Sequence, residues 1–166
     1  MHFTAENHFD GSPEAVAQVL SDPKSYLDLE LPDLSAPTLV KNADDGARSE
    51  ILLRYEYVGH LDPIARRLLG GDELAWMQQV VVDRKKLDGS LEFGVEKDPK
   101  RLHGSATFVL VPGPGGGTLR RFEGDLVVSV IGIGHMAERH IVPGIVKRLD
   151  IETQAVNDQL RKSSNG

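Results

Sequence analysis

Three stretches of this chain have residue types and spacing that could do chemistry. Gly132-Ile133-Gly134-His135-Met136-Ala137 fits the glycine fingerprint of a dinucleotide-binding turn, whose third glycine position tolerates alanine. His135 and His140 lie near each other and raise the question of a metal site. Gly113-Pro114-Gly115-Gly116-Gly117-Thr118 has the glycine content of a phosphate-cradling loop.

None of the three survives its own geometric requirements. A dinucleotide turn needs a helix after it and then a second, parallel strand ending in an acid for the ribose. Only residues 135–166 follow Gly134, and a helical pattern takes up most of them. The two glycines therefore mark a tight strand-to-helix corner. Residues five apart on a helix point about 140° away from each other, so His135 and His140 do not converge. Met136 stands where a metalloprotease helix needs glutamate. The glycine run at 113–118 has no lysine and leads into a strand, which makes it a hairpin turn. There is no G-x-S-x-G elbow, and the chain has no cysteine, which removes disulfides, thiol nucleophiles and thiolate metal sites together. The expectation is a protein with no metal and no cofactor.

Composition narrows the class further. The 166 residues suit one domain with a sizeable core, at 40% hydrophobic and 27% charged residues. Nineteen basic against twenty-five acidic residues leave a net charge of −6, which argues against a nucleic-acid partner. The basic pairs Arg66-Arg67, Lys85-Lys86 and Arg120-Arg121 read as solvated surface. No run approaches the ~20 apolar residues of a membrane span, and the N-terminal residues have no signal-peptide pattern, so no stable membrane insertion and a cytoplasmic location are expected.

The elements that must position any site can be read from periodicity. Residues 2–9 form a first strand candidate. Ser12 then caps a helix that opens on Pro13, with Val16, Val19 and Leu20 on one face and Asp22-Pro23 as its stop. A second short helix is expected over 24–29. From 38 to 130 the period becomes two, in segments joined by Asp44-Asp45-Gly46, Asp88-Gly89, Asp98-Pro99 and the glycine run. Such spacing predicts consecutive antiparallel hairpins, interrupted by a turn or two of helix carrying Ile64, Leu68 and Leu69. From about 135 to 160 the period is helical, with Val142, Ile145, Val146, Leu149, Val156 and Leu160 in one stripe and Glu152 largely off it. Pro143 is expected to kink or restart that helix.

Within this frame, "FDGSPEAVAQVLSDPKSYLDL", "LDPIARRLLGGDELAWMQQV", "DPKRLHGSATFVLVPGPGGGTLRRFEGDLVVSVIGIGHMAE" and "IETQAVNDQL" follow one another in an order that resembles the START-like (SRPBCC) helix-grip superfamily. More specifically they resemble an uncharacterised actinobacterial family within it. The resemblance implies an α+β fold: a curved seven-stranded antiparallel sheet wrapped around a long C-terminal helix, with two short helices after the first strand. It implies one domain over residues 1–162 and a short tail at 163–166. It also implies a cavity between sheet and helix that takes apolar molecules, and it carries no catalytic residues over.

The alternation points a set of side chains inward: Ile51, Leu53, Tyr55 and Tyr57; Leu74, Trp76 and Gln78; Leu91 and Phe93; Phe108 and Leu110; Phe122, Leu126 and Val128. The candidate ligand-binding residues are Tyr55, Tyr57, Trp76, Gln78, Phe93, Phe108, Phe122 and His140. Tyr55, Tyr57 and Gln78 carry polar ends that need partners once buried. The leading reading is a binding module for a small apolar or amphipathic ligand. The alternatives are an enzyme of polyketide cyclase or dehydrase type, with His140 as the first acid–base candidate, and a domain that docks a protein or touches a membrane through Ile64, Leu68 and Leu69 beside Arg66 and Arg67.

Overall fold

The computed structural model describes all 166 residues, Met1–Gly166. Seven strands and four α-helices follow one another as β1 (His2–Phe9), α1 (Pro13–Leu20), α2 (Lys24–Leu27), β2 (Thr38–Asp44), β3 (Arg48–Tyr57), α3 (Pro63–Leu69), β4 (Leu74–Asp83), β5 (Asp88–Val95), β6 (Leu102–Pro112), β7 (Thr118–Val128) and α4 (Gly134–Ser164). Every strand pair is antiparallel, in the order β1-β7-β6-β5-β4-β3-β2. Hairpins connect β2 through β7 in sequence, and β1 closes on β7 at the far edge. This is the expected helix-grip architecture.

Local chemistry explains the element ends. The Ser12 hydroxyl accepts from the Ala15 N–H at 3.2 Å and Pro13 opens α1, which buries Val16, Ala17 and Leu20. Asp62 caps α3 in the same way, accepting from the Ala65 N–H at 2.7 Å, and Gly70 ends it with φ 71°. The β2–β3 turn is held by Asp44 and Asp45, which accept from the N–H groups of Gly46, Ala47 and Arg48. At the strand-to-helix corner, Gly132 has φ 85° and a Cβ on Gly134 would lie 2.7 Å from the Val128 carbonyl oxygen. The opening glycine pair is a backbone requirement.

Four expectations need correction. The β4–β5 turn lies at 84–87, with Asp83 accepting from the Lys85 and Lys86 N–H groups, while Asp88 and Gly89 already belong to β5. Gly89 is there because a Cβ would meet the Phe108 ring at 2.3 Å and the Val81 carbonyl at 2.2 Å. The last helix runs unbroken through Pro143. Pro143 and Arg139, whose carbonyl loses its donor, are both exposed, so that carbonyl can turn to solvent instead of forcing a break. That helix also continues to Ser164, two residues into the stretch expected as a tail. Finally, α2 is a single turn that stops at Leu27.

The core is split in two. One cluster joins α1, α2 and the second half of α4 to the strands through Phe3, Val16, Leu20, Ile51, Phe108, Phe122 and Val156. The other gathers Leu61, Leu68, Leu69, Val95, Leu102, Leu126 and Ala137 beneath α3 and the first half of α4. One helix cannot cover seven curved strands, and the uncovered interval between the two clusters is where a cavity opens.

Candidate ligand cavity

A cavity of about 620 Å³ lies between the sheet, α3 and α4, within the size range of small-molecule sites. Twenty of its 27 lining residues are hydrophobic. Leu68 and Leu69 roof it from α3, while Arg66, Arg67 and Ile64 on the same helix face solvent. Ala65, Ala106 and Gly144 contribute walls without bulk, which is why the space is not filled by side chains.

Of the eight candidate residues, Tyr57, Trp76, Gln78, Phe93, Phe122 and His140 line this cavity. Tyr55 and Phe108 do not; each sits one layer behind. Tyr55 is 1% exposed and stacks on Trp76, with ring centroids 5.4 Å apart and planes 13° from parallel. The pairing follows from register, since Tyr55 and Trp76 face each other across β3 and β4. Phe108 packs at 5.2 Å on Phe122, its cross-strand partner on β7. His140 is exposed at the mouth, on the outer part of α4.

Arg148, Gln78 and Tyr55 bring polar groups to the neighbourhood of Trp76. Arg148, from α4, spreads its guanidinium over the Tyr55 ring at 4.3 Å and reaches Trp76 at 5.9 Å. Its Nη2 has no hydrogen-bond partner in the protein, and the same is true of Gln78 Nε2 and the Tyr55 hydroxyl. Burial pushes the Tyr55 hydroxyl pKa upward against the opposing pull of Arg148, so the hydroxyl stays protonated near neutral pH. Glu152 also borders the cavity, but its Oε1 is held at 2.7 Å by Arg120 Nη1. Arg120 is itself 1% exposed, lies over the rings of Phe122 and Phe9 at 4.6 and 5.0 Å, and donates to Asn7 Oδ1 at 3.0 Å.

Two of these side chains correct the sequence reading. Arg120 is not solvated surface, although Arg121 beside it is exposed. Glu152 belongs to the buried face of α4, between Leu149 and Val156. The signal for Arg120 was its parity: along β7 it points the same way as Phe122, Leu126 and Val128. Arg148, Lys147 and the loop residues Leu31, Pro32 and Leu34 also line the cavity and were not among the candidates, because nothing local brings α4 or the loop after α2 to the sheet.

His135 and His140 do diverge: His135 turns back to Glu138 at 3.2 Å while His140 reaches the cavity mouth. No group of three histidine, aspartate or glutamate side chains is assembled for a metal. No helix is long and apolar enough to cross a membrane.

With this geometry in view, a family model described as "Protein of unknown function (DUF2505)" matches residues 4–160. The chain belongs to that family. The sequence matches no curated protein. Among solved structures it is similar to an aromatase/cyclase from Streptomyces sp. R1128, at 14% identity over 98% of this chain and 94% of that one, with a TM-score of 0.65. A protein of Thermus thermophilus gives 17% identity, 99% coverage of both chains and a TM-score of 0.64. A START superfamily protein from Mycobacterium smegmatis gives 15% identity, 97% coverage of both and a TM-score of 0.58. These likenesses extend over whole chains and establish the START-like fold.

Proposed function

We propose that the protein binds one small apolar or amphipathic molecule between its sheet and α4, holding it for transport or sequestration. The observation that carries this reading is the cavity of about 620 Å³, walled mainly by hydrophobic side chains yet bordered by Gln78 and Arg148. A void of this size in a domain of 166 residues forfeits packing that larger side chains would supply, so its retention suits occupancy better than it suits stability alone. The START-like neighbours, one of them an aromatase/cyclase, fit a fold that encloses such molecules. Tyr57, Trp76, Gln78, Phe93, Phe122 and His140 are the proposed contacts, with Tyr55 and Phe108 supporting them from behind. The α3 segment serves as a roof, since Leu68 and Leu69 face inward.

The test uses the single tryptophan, which borders the cavity. Its emission should be blue-shifted relative to the unfolded chain and should change saturably, at one equivalent, as apolar probes are added. Native mass spectrometry of freshly purified protein should show a co-purifying adduct that organic solvent removes. A solvent-like emission maximum that responds to no probe, together with a bare mass, would defeat the proposal.

A further inference from the structure

We propose that the cavity selects a ligand with an acidic end, a carboxylate, seated between Gln78 and Arg148 with its apolar body directed under α3. This rests on the binding reading above and adds the ligand's chemical class and orientation.

The charge around the cavity runs against the charge of the chain. The protein as a whole carries −6. The charged side chains that border the cavity are Lys147, Arg148 and Glu152. Glu152 is already neutralised by Arg120 at 2.7 Å, and neither Lys147 nor Arg148 belongs to any of the salt bridges formed. The cavity's surroundings are thus cationic in an acidic protein, which favours an anion on both attraction and steering.

Two unpartnered donors mark the polar part of the cavity wall. Gln78 is 2% exposed, borders the cavity, and has an Nε2 with no acceptor in the protein. A buried donor left unsatisfied is costly, so an acceptor brought within reach of this amide is rewarded. Arg148 brings a second donor, Nη2, equally without a partner. Gln78 is the next inward residue after Trp76 on β4, about 7 Å along the strand. Arg148 reaches over that same Trp76 from α4. Its guanidinium is oriented by the Tyr55 ring, so little freedom remains to be lost when it meets a carboxylate. At the other end, Leu61, Leu68, Leu69, Val95 and Leu102 form an apolar wall without a charged side chain, and the one hydroxyl packed there, that of Tyr57, donates to the His60 carbonyl. An amphipathic acid is therefore best accommodated with its carboxylate toward Arg148 and its chain under α3.

The experiment compares decanoic acid with its methyl ester at pH 8, below their aggregation limits, by calorimetry and Trp76 fluorescence. Wild-type protein should bind the acid about ten- to a hundredfold more tightly than the ester, the worth of a charge-assisted hydrogen bond. Arg148→Gln should bring acid and ester to within about threefold of each other, by weakening the acid. Arg148→Lys should keep part of the preference, and Gln78→Leu should weaken the acid more than the ester. Because the acid–ester comparison is made on the unaltered protein, it stands even where a variant folds poorly. Equal binding of acid and ester, or a preference that survives Arg148→Gln, overturns the acidic-end assignment and leaves the binding reading intact. Failure of both to bind, across chain lengths from eight to sixteen carbons, overturns both.

Discussion

Replacing Glu152 with leucine isolates the most consequential buried contact in the molecule. Glu152 and Arg120 are 3% and 1% exposed, and their 2.7 Å contact is the one ion pair whose two side chains are both nearly inaccessible. Without Glu152, the guanidinium keeps only neutral acceptors: Asn7 Oδ1 at 3.0 and 3.3 Å and Thr153 Oγ1 at 3.4 Å. An uncompensated buried charge of this kind costs about 3–5 kcal/mol. A domain of this size has only about 5–15 kcal/mol of total stability. At roughly 2–4 °C per kcal/mol the melting temperature should fall by roughly 6–20 °C. The Phe9 and Phe122 rings, at 5.0 and 4.6 Å from the Arg120 guanidinium, place the variant toward the lower half of that range. Urea titrations of Glu152→Leu, Arg120→Met and the double variant provide the assay. The double variant should recover most of the loss, since an apolar pair removes both desolvation costs at once. A loss under about 1 kcal/mol for Glu152→Leu, or a double variant no better than the single ones, would refute the claim that this pair is buried and mutually dependent.

Three further outcomes are expected. Trp76→Ala should cost about 3 kcal/mol or less, at or below the usual range for a packed aromatic, because one side of the ring already borders the cavity and the main packing lost is the Tyr55 stack; thermal melts monitored by circular dichroism measure it. Ala106→Leu should fill part of the cavity, lowering probe affinity at least tenfold while the melting temperature holds or rises, as read by paired binding and melting curves. Stability should be level from about pH 5 to pH 10 as far as the shifted groups decide it, and should fall on both sides. On the acid side, Asp44, Asp45, Asp83, Glu96 and Glu138 have pKa values lowered by folding, so the stability they contribute is complete above the ordinary carboxylate range and is lost as pH falls through their folded values. For Asp44 and Glu96 the leading cause is a hydrogen-bonded arginine, and for Asp45 and Asp83 it is turn N–H groups. For Glu138, burial pulls the other way and is outweighed by the Val128 N–H and the terminal ammonium. On the alkaline side, Tyr26 and Tyr55 are raised, chiefly by burial, so their contribution is complete below about pH 10 and is lost as pH rises through the folded values. Urea midpoints across pH 3–11 check both limbs.

Local sequence determined the elements and their order. The period of two along 49–57 and 118–130, the helical period from about 135 to 160 and the cap at Ser12 each depend on a few neighbouring residues, and the structure has strands, helix and cap in those stretches. The inward parity of β3, β4 and β7 was likewise legible, because one face of each strand must be dry. What only the tertiary structure decided is which inward side chains meet one another. Trp76 stacks on Tyr55 because of strand register, and Arg148 lies over both because α4 crosses that part of the sheet. Arg120 looked like half of a surface basic pair until Glu152, thirty-two residues later, supplied the charge that allows it to be buried. A charge is tolerated in a core only through a partner, and that partner lies on another element. The same holds for the cavity: no residue encodes it alone, because it is the space left when one helix and a short roof cannot cover seven curved strands.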